Sequence, residues 1–268
     1  MEIFMSDSMP FRGINGFQLK TLALISMTAD HIYLILGRVL AVPALFNLFG
    51  RLSAPIFIFI LCEGLRHTKN RRIYIFRLYV FSVITEFLMI VINALAPVMG
   101  GFHINIFSTL FLIALLADSA DKIVTGSVSA DPKRTLQGFL GIIMPFVLQG
   151  IFSYSGGIWT SIVRIFFPLP FMTEGGIYFV GLGLALYFCG KQKKAAAVFY
   201  SLFSLMFLLP SMVSAFGGRQ WAMVFALPFM LLYNGERGRG LKYFFYLYYP
   251  LHIVLLSAAA CCISLMPR

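Results

Sequence analysis

The chain has 268 residues, 60% of them hydrophobic and 12% charged, with a net charge of +11. A soluble domain carries about 25% charged residues, so a mostly water-facing surface is excluded, and the mean hydropathy of +0.88 points to lipid as the solvent. In that setting the excess of Lys and Arg is what the positive-inside rule collects in cytoplasmic loops, and it does not signal nucleic acid.

These features predict an all-α, polytopic membrane helix bundle forming a single transmembrane domain over 1–268. The longest weakly hydrophobic stretch, 117–134, is too short to bury a core of its own. Residues 1–17 read as a short cytosolic segment without the basic start and cleavage site of a removable signal. Cys62, Cys189, Cys261 and Cys262 fall in or beside apolar segments, where they read as packing residues rather than a disulfide framework.

A helix needs about 20 apolar residues to cross the hydrocarbon core. In chain order the expected spans are 18–40, 52–64, 74–96, 105–117, 136–153, 175–190, 195–216, 220–233 and 243–265, about nine in all, several of them short. Arg66, Lys69, Arg71 and Arg72 follow the second span; Lys122, Lys133 and Arg134 the fourth; Lys191, Lys193 and Lys194 the sixth; Arg237, Arg239 and Lys242 the eighth. These loops alternate, which places them on one side, the cytosol, with the N-terminus inside a bacterial-type cytoplasmic membrane. The loop 97–102 is free of charge, as an external loop should be. The segment 158–170 contains Arg164 and ends in two prolines; it is expected as a re-entrant or interfacial element on the outer face.

Ionisable groups at membrane depth are expensive and usually paired or functional. Asp30 and His31 follow an apolar run in the first span. At ~1.5 Å per residue His31 lies about 16 Å beyond Lys20, three turns along and on the same face. Arg38 extends that face. The functional reading is a polar cavity entered from the cytosol, with the imidazole as general base, because histidine changes charge near neutrality. The structural reading is a polar pair that locks helix packing. Asp30 points about 100° away from His31 and should pair with a cation from another segment.

Glu63 has Arg66 and His67 at i+3 and i+4, the spacing of an ion-paired helix end; a metal site is not expected. The basic stretch 66–77 is a topology signal and also a candidate phosphate-binding patch. Arg77 and Glu86 continue into the third span, and Asp30–Arg77 and Glu86–Arg51 are candidate pairs. Asn105, Ser108 and Thr109 form a polar edge on the fourth span, just after His103. His252 sits two residues past Pro250 in the last span, where the proline should break the helix and leave backbone groups for a cavity.

The runs LKTLALISMTADHIY, GRLSAPIFIFILCEGLRHTKNRRIYIFRLYVFSVITEF, NIFSTLFLIALL and YFFYLYYPLHIVLL together resemble the TraX family, whose founding member acetylates F-type conjugative pilin. That family is similar to the acyltransferase-3 group, whose members begin with a basic residue, ten intervening residues and a histidine; here these are Lys20 and His31, with Lys in place of the usual Arg. The resemblance implies transfer of an acetyl group from cytosolic acetyl-CoA, as co-substrate, to an amine or hydroxyl at or across the membrane. The acceptor would be a pilin-like small membrane protein or a surface glycan. It implies His31 as base with Asp30 beside it, and Lys20, Arg66, Lys69, Arg71 and Arg72 as residues that attract the donor's phosphates. Glu63, Arg77, Glu86, Asn105 and His252 are further polar candidates. A small-solute transporter and a non-catalytic pilus or secretion assembly factor are the alternatives.

Overall fold

The computed structural model describes residues 13–95, 104–153, 157–190, 192–216 and 218–266. Among them there is no β-strand, only an isolated bridge between Ile14 and Tyr233. Helix α1 (Gly16–His31) begins with a capping box, in which the Asn15 side chain accepts from the Gln18 N–H and the Gln18 side chain accepts from the Asn15 N–H, so two orphan donors of the first turn are satisfied at once. A π-helical turn, Ile32–Leu36, follows without a break. The chain continues through α2 (Leu45–Gly50), α3 (Ser53–His67), α4 (Arg71–Leu95), α5 (Ile106–Val128), α6 (Pro132–Ser153), α7 (Gly157–Phe166), α8 (Gly176–Cys189), α9 (Lys193–Met206) and α10 (Pro210–Phe216). A 3-10 helix (Gln220–Ala226) leads into α11 (Leu227–Leu231), and α12 (Lys242–Ser264) closes the fold.

Helix α5 is the centre. From Ile106 to Ala117 its side chains are almost all buried, as expected for a helix apolar on every side, and α3, α4, α6 and α8 pack around it. Gly141 of α6 permits the closest of these approaches, because a β-carbon there would lie 2.1 Å from Ser119 Oγ; small residues at such crossings let helices in lipid gain contact area. The outward faces are greasy. Phe139, Leu140, Ile143, Met144 and Val147 of α6 and Phe244, Leu247, Leu251 and Leu255 of α12 are exposed. Apolar faces this continuous are not tolerated in water and are the lipid-facing surface of a membrane protein.

Among the described residues five helices are long and apolar enough to cross a bilayer: Gly16–Leu36, Leu45–His67, Arg71–Leu95, Pro132–Phe152 and Tyr243–Ser264. The other expected spans are helical but fall short for visible reasons. Asp118, Asp121 and Lys122 interrupt the apolar run of α5. Helix α8 has 14 residues. The expected span 195–216 is broken between α9 and α10 at Phe207–Leu209, just ahead of Pro210, where a proline disfavours helix in the residue before it. The expected span 220–233 is a 3-10 helix joined to a five-residue α-helix. The segment 158–170 is the short α7, which ends ahead of Pro168. The loop 97–102, His103, Lys191 and residues 1–12 lie outside the described residues.

The basic segments gather at one pole. The Gly16 N–H donates to Glu236 O, the Ile14 N–H donates to Leu232 O, and Ile14 O accepts from the Asn234 N–H. At that pole Arg66 donates to Leu186 O and Tyr187 O at the end of α8. Arg71 bonds both Asp121 and the Tyr187 hydroxyl. The start of α1 and the ends of α3, α8 and α11 thus meet on one side of the molecule.

Candidate functional site

His31 and His252 are drawn together from the two ends of the sequence. Their rings are parallel to within 1°, with centroids 4.8 Å apart, and His31 Nδ1 lies 2.5 Å from His252 Nε2. That centroid separation matches the hydrogen bond plus two ring radii, so the rings lie edge to edge in one plane and are not stacked face to face. His252 Nδ1 is 2.9 Å from Tyr248 O. A carbonyl only accepts, so the partners assign the proton on His252 to Nδ1, which leaves Nε2 as an acceptor. His31 must then donate through Nδ1. Its Nε2 keeps a free lone pair, the state a general base needs. The order carbonyl, His252, His31 performs the orienting task that a carboxylate performs behind the histidine of a catalytic triad.

His31 is 2% exposed, yet it is not sealed among apolar neighbours. It lines a cavity of about 130 Å³ together with Asp30, Arg51, Glu174 and Gln220. Arg51 reaches Asp30 Oδ1 at 3.0 Å and Gln220 Oε1 at 2.9 Å, and Asn47 donates to Asp30 Oδ1 at 2.7 Å. The pairing Asp30–Arg51 replaces the expected Asp30–Arg77. The short α2 turns the chain back on α1 and delivers Arg51 to Asp30, while the Arg77 guanidinium bonds Ile73 O of its own helix at 3.3 Å. Tyr249 packs edge-on to both imidazoles. Its hydroxyl accepts from the Ile106 N–H at 3.1 Å and donates to Glu174 Oε2 at 3.3 Å. Glu174 lies outside the helices, in the turn before α8. Burial, with the Asp30 charge adding to it, pushes its carboxyl up to about 7.

The polar stripe expected along α1 is not continuous. Ala23, Leu24 and Met27 are buried in the core between Lys20 and His31, and the Lys20 ammonium sits over the Phe245 ring, 5.8 Å from its centroid. The cavity is walled instead by Ser53 and Ala54 at the start of α3, Gly175 before α8 and Gln220 at the start of the 3-10 helix. These are the ends opposite the basic loops. The chain is not broken at Pro250 either: α12 runs through it. The missing proline N–H deprives a single carbonyl of its donor, and a transmembrane helix tolerates this when its neighbours support it.

The other candidates separate into three groups. Glu63, Arg66 and His67 meet as an ion-paired helix end, with His67 Nε2 3.8 Å from Glu63. Arg71 is engaged by Asp121 and Tyr187, and Lys69 and Arg72 are exposed. Glu86 is paired with Arg164 at 3.3 Å, not with Arg51, and it accepts from Asn105 Nδ2 at 3.0 Å. Arg164, which argued against a span over 158–170, is thus the link that ties α7 to α4. Asn105 also caps α5 through the Ser108 N–H. Among the described residues no group of three or more His, Cys, Asp or Glu is placed to hold a metal.

Sequence reasoning missed Arg51, Gln220, Tyr249 and Glu174 as parts of the site. Glu174 left one usable trace, a lone acid in the otherwise uncharged stretch 165–190.

Comparison with known proteins finds one relative and one family. A probable fimbrial assembly protein, FimC of serogroup H1 from Dichelobacter nodosus, is 29% identical over 253 residues, covering 91% of this chain and 95% of its own length. No solved structure matches the chain. The family model described as TraX protein matches residues 15–259, a range that contains both histidines and the whole cavity wall, and the chain belongs to the TraX family.

Proposed function

We propose that this protein is a membrane-embedded acetyltransferase in which His31 activates the acceptor. The observation that carries the reading is the coplanar His31–His252 pair at the wall of a polar cavity. His31 Nε2 removes a proton as the acceptor nitrogen or oxygen attacks the thioester carbonyl. The carbon–sulfur bond then breaks, and the thiolate leaves with the proton returned by the imidazolium. Positive charge on His31 is supported by the lone pair of His252 and, through it, by the Tyr248 carbonyl. The cavity is large enough for the reacting ends only, so the nucleotide of acetyl-CoA stays outside. Lys69 and Arg72, exposed on the basic pole, supply charge for its phosphates. By the positive-inside rule that pole faces the cytosol of a cytoplasmic membrane. The acceptor then enters from the opposite side. A donor arriving from the basic pole must displace Met27, the flexible side chain one turn before His31 that lines the same cavity.

The test is thiol release from acetyl-CoA by the purified protein in lipid nanodiscs with a peptide amine as acceptor. His31→Asn and His252→Phe should each lower the rate by about 10²–10⁴-fold, the usual contribution of a positioned base. Unchanged release in His31→Asn would falsify the mechanism. The relative's description as a fimbrial assembly protein favours a second reading, a non-catalytic assembly factor. In that case His31→Asn cells keep normal surface fimbriae, and their subunits have the same mass with and without the gene. Under the first reading the subunit or another surface acceptor loses one acetyl mass.

A further inference from the structure

A second cavity, about 270 Å³, opens at the basic pole between α3, α8, α9 and α11. Its lining is mostly apolar: Phe59, Leu186, Tyr200, Leu227 and Met230 form the depth, and Leu231, 45% exposed, stands at its lipid-facing edge. The charged side chains in its wall are Glu63, Arg66 and Lys193. Glu63 and Arg66 neutralise each other, and Arg66 is further spent on the carbonyls of Leu186 and Tyr187. Lys193 is exposed and forms no ion pair among the described residues. The rim therefore carries one uncompensated positive charge.

The same rim holds the start of α9. Its first two residues are the exposed Lys193 and Lys194, and the residue before them, Gln192, makes no side-chain cap. The first backbone N–H groups of a helix have no partner within it, and together with the helix dipole they make a receptor for a phosphate. Polar partners in the depth are few, because the Tyr200 hydroxyl is already committed to Met223 O. A ligand rich in amides would bury them unpaired there; a hydrocarbon chain would not.

We propose that this slot binds an anionic phospholipid of the adjoining leaflet, with one acyl chain between α3, α9 and α11 and its phosphate on the uncapped start of α9 beside Lys193. Basic pockets between transmembrane helices recognise anionic headgroups in this way, each Lys or Arg near the membrane surface contributing roughly a fivefold gain in affinity. The site is separate from the histidine cavity and does not depend on the acyl-transfer reading.

Native mass spectrometry of the delipidated protein, titrated with phosphatidylglycerol and with phosphatidylcholine of identical chains, tests it. Phosphatidylglycerol should bind at least roughly fivefold more tightly. Lys193→Gln, a surface change, should erase most of that preference while leaving phosphatidylcholine unaffected. Ala197→Leu, which narrows the slot, should weaken both lipids; a cysteine at the same position (Ala197→Cys) should be shielded from maleimide by phosphatidylglycerol if the leucine variant does not fold. Equal affinity for the two lipids, an unchanged preference in Lys193→Gln, or shielding by acetyl-CoA and not by phosphatidylglycerol would each overturn the proposal.

Discussion

Gly50 packs directly on Asp30: a β-carbon on the glycine would lie 2.3 Å from Asp30 Cβ and 2.6 Å from its Oδ1. The carboxylate that holds Arg51 and Asn47 in the cavity wall is thus seated against bare backbone. Gly50→Ala must push α2 and α1 apart or turn Asp30 away from its partners. Overpacking of this kind costs about 1–3 kcal/mol, and the thermal midpoint in detergent should fall accordingly. Gly181→Ala is the control, since nothing lies within 4 Å of a β-carbon there; it should leave the midpoint unchanged or raise it slightly, alanine being the better helix former.

The Arg164–Glu86 pair makes a prediction about which half is worse to lose. Glu86 is the more deeply buried partner, its side chain 5% exposed against 25% for Arg164. Arg164→Met leaves a carboxylate in the bundle without this cation, an error of about 3–5 kcal/mol for a buried pair. The double variant Arg164→Met/Glu86→Gln removes the carboxylate charge as well and should recover much of the stability. A double-mutant cycle on unfolding midpoints measures the coupling; a loss in the double variant equal to the sum of the two single losses would show that the two residues act independently.

Glu174 gives the pH dependence a sign. Its carboxyl is raised from 4.5 to about 7, so between those values the folded state holds a proton that the unfolded state has released. Stability therefore falls as pH rises through this window and levels off above about 7. Glu174→Gln removes the titrating group. The difference in unfolding midpoint between wild type and this variant should shift against the wild type from pH 5 to pH 8 and stay flat beyond. A difference that does not move with pH would place Glu174 in contact with solvent or a cation.

Much of the architecture was legible because lipid imposes simple rules. Apolar runs became helices at each expected place, and the charges of the loops foretold a basic pole. The span count was less legible, since α8, α9 and the 3-10/α11 pair are apolar without being long, and composition does not separate a spanning helix from a half-length one buried in protein. At the site, His31, Asp30 and His252 stood out as ionisable residues in greasy surroundings. Their partners did not. Arg51 sits 21 residues from Asp30, and its delivery depends on the α2 turn, whose geometry no periodicity encodes. The same holds for Arg164, whose charge looked like an obstacle to a span until its partner on α4 was in view.

The π-helical turn at Ile32–Leu36 separates two registers. Upstream, the imidazole is fixed by α1 and its neighbours; within the turn the Tyr33 hydroxyl accepts from Arg219 at 3.1 Å, and downstream the chain swings toward α2. A wide turn carries one residue more than an ordinary one, so it is the place where the helix register between His31 and α2 changes. The station of His31 and the path of the rim leading into α2 are therefore set separately, and single-residue deletions across this turn should alter that rim while leaving the His31–His252 contact in place.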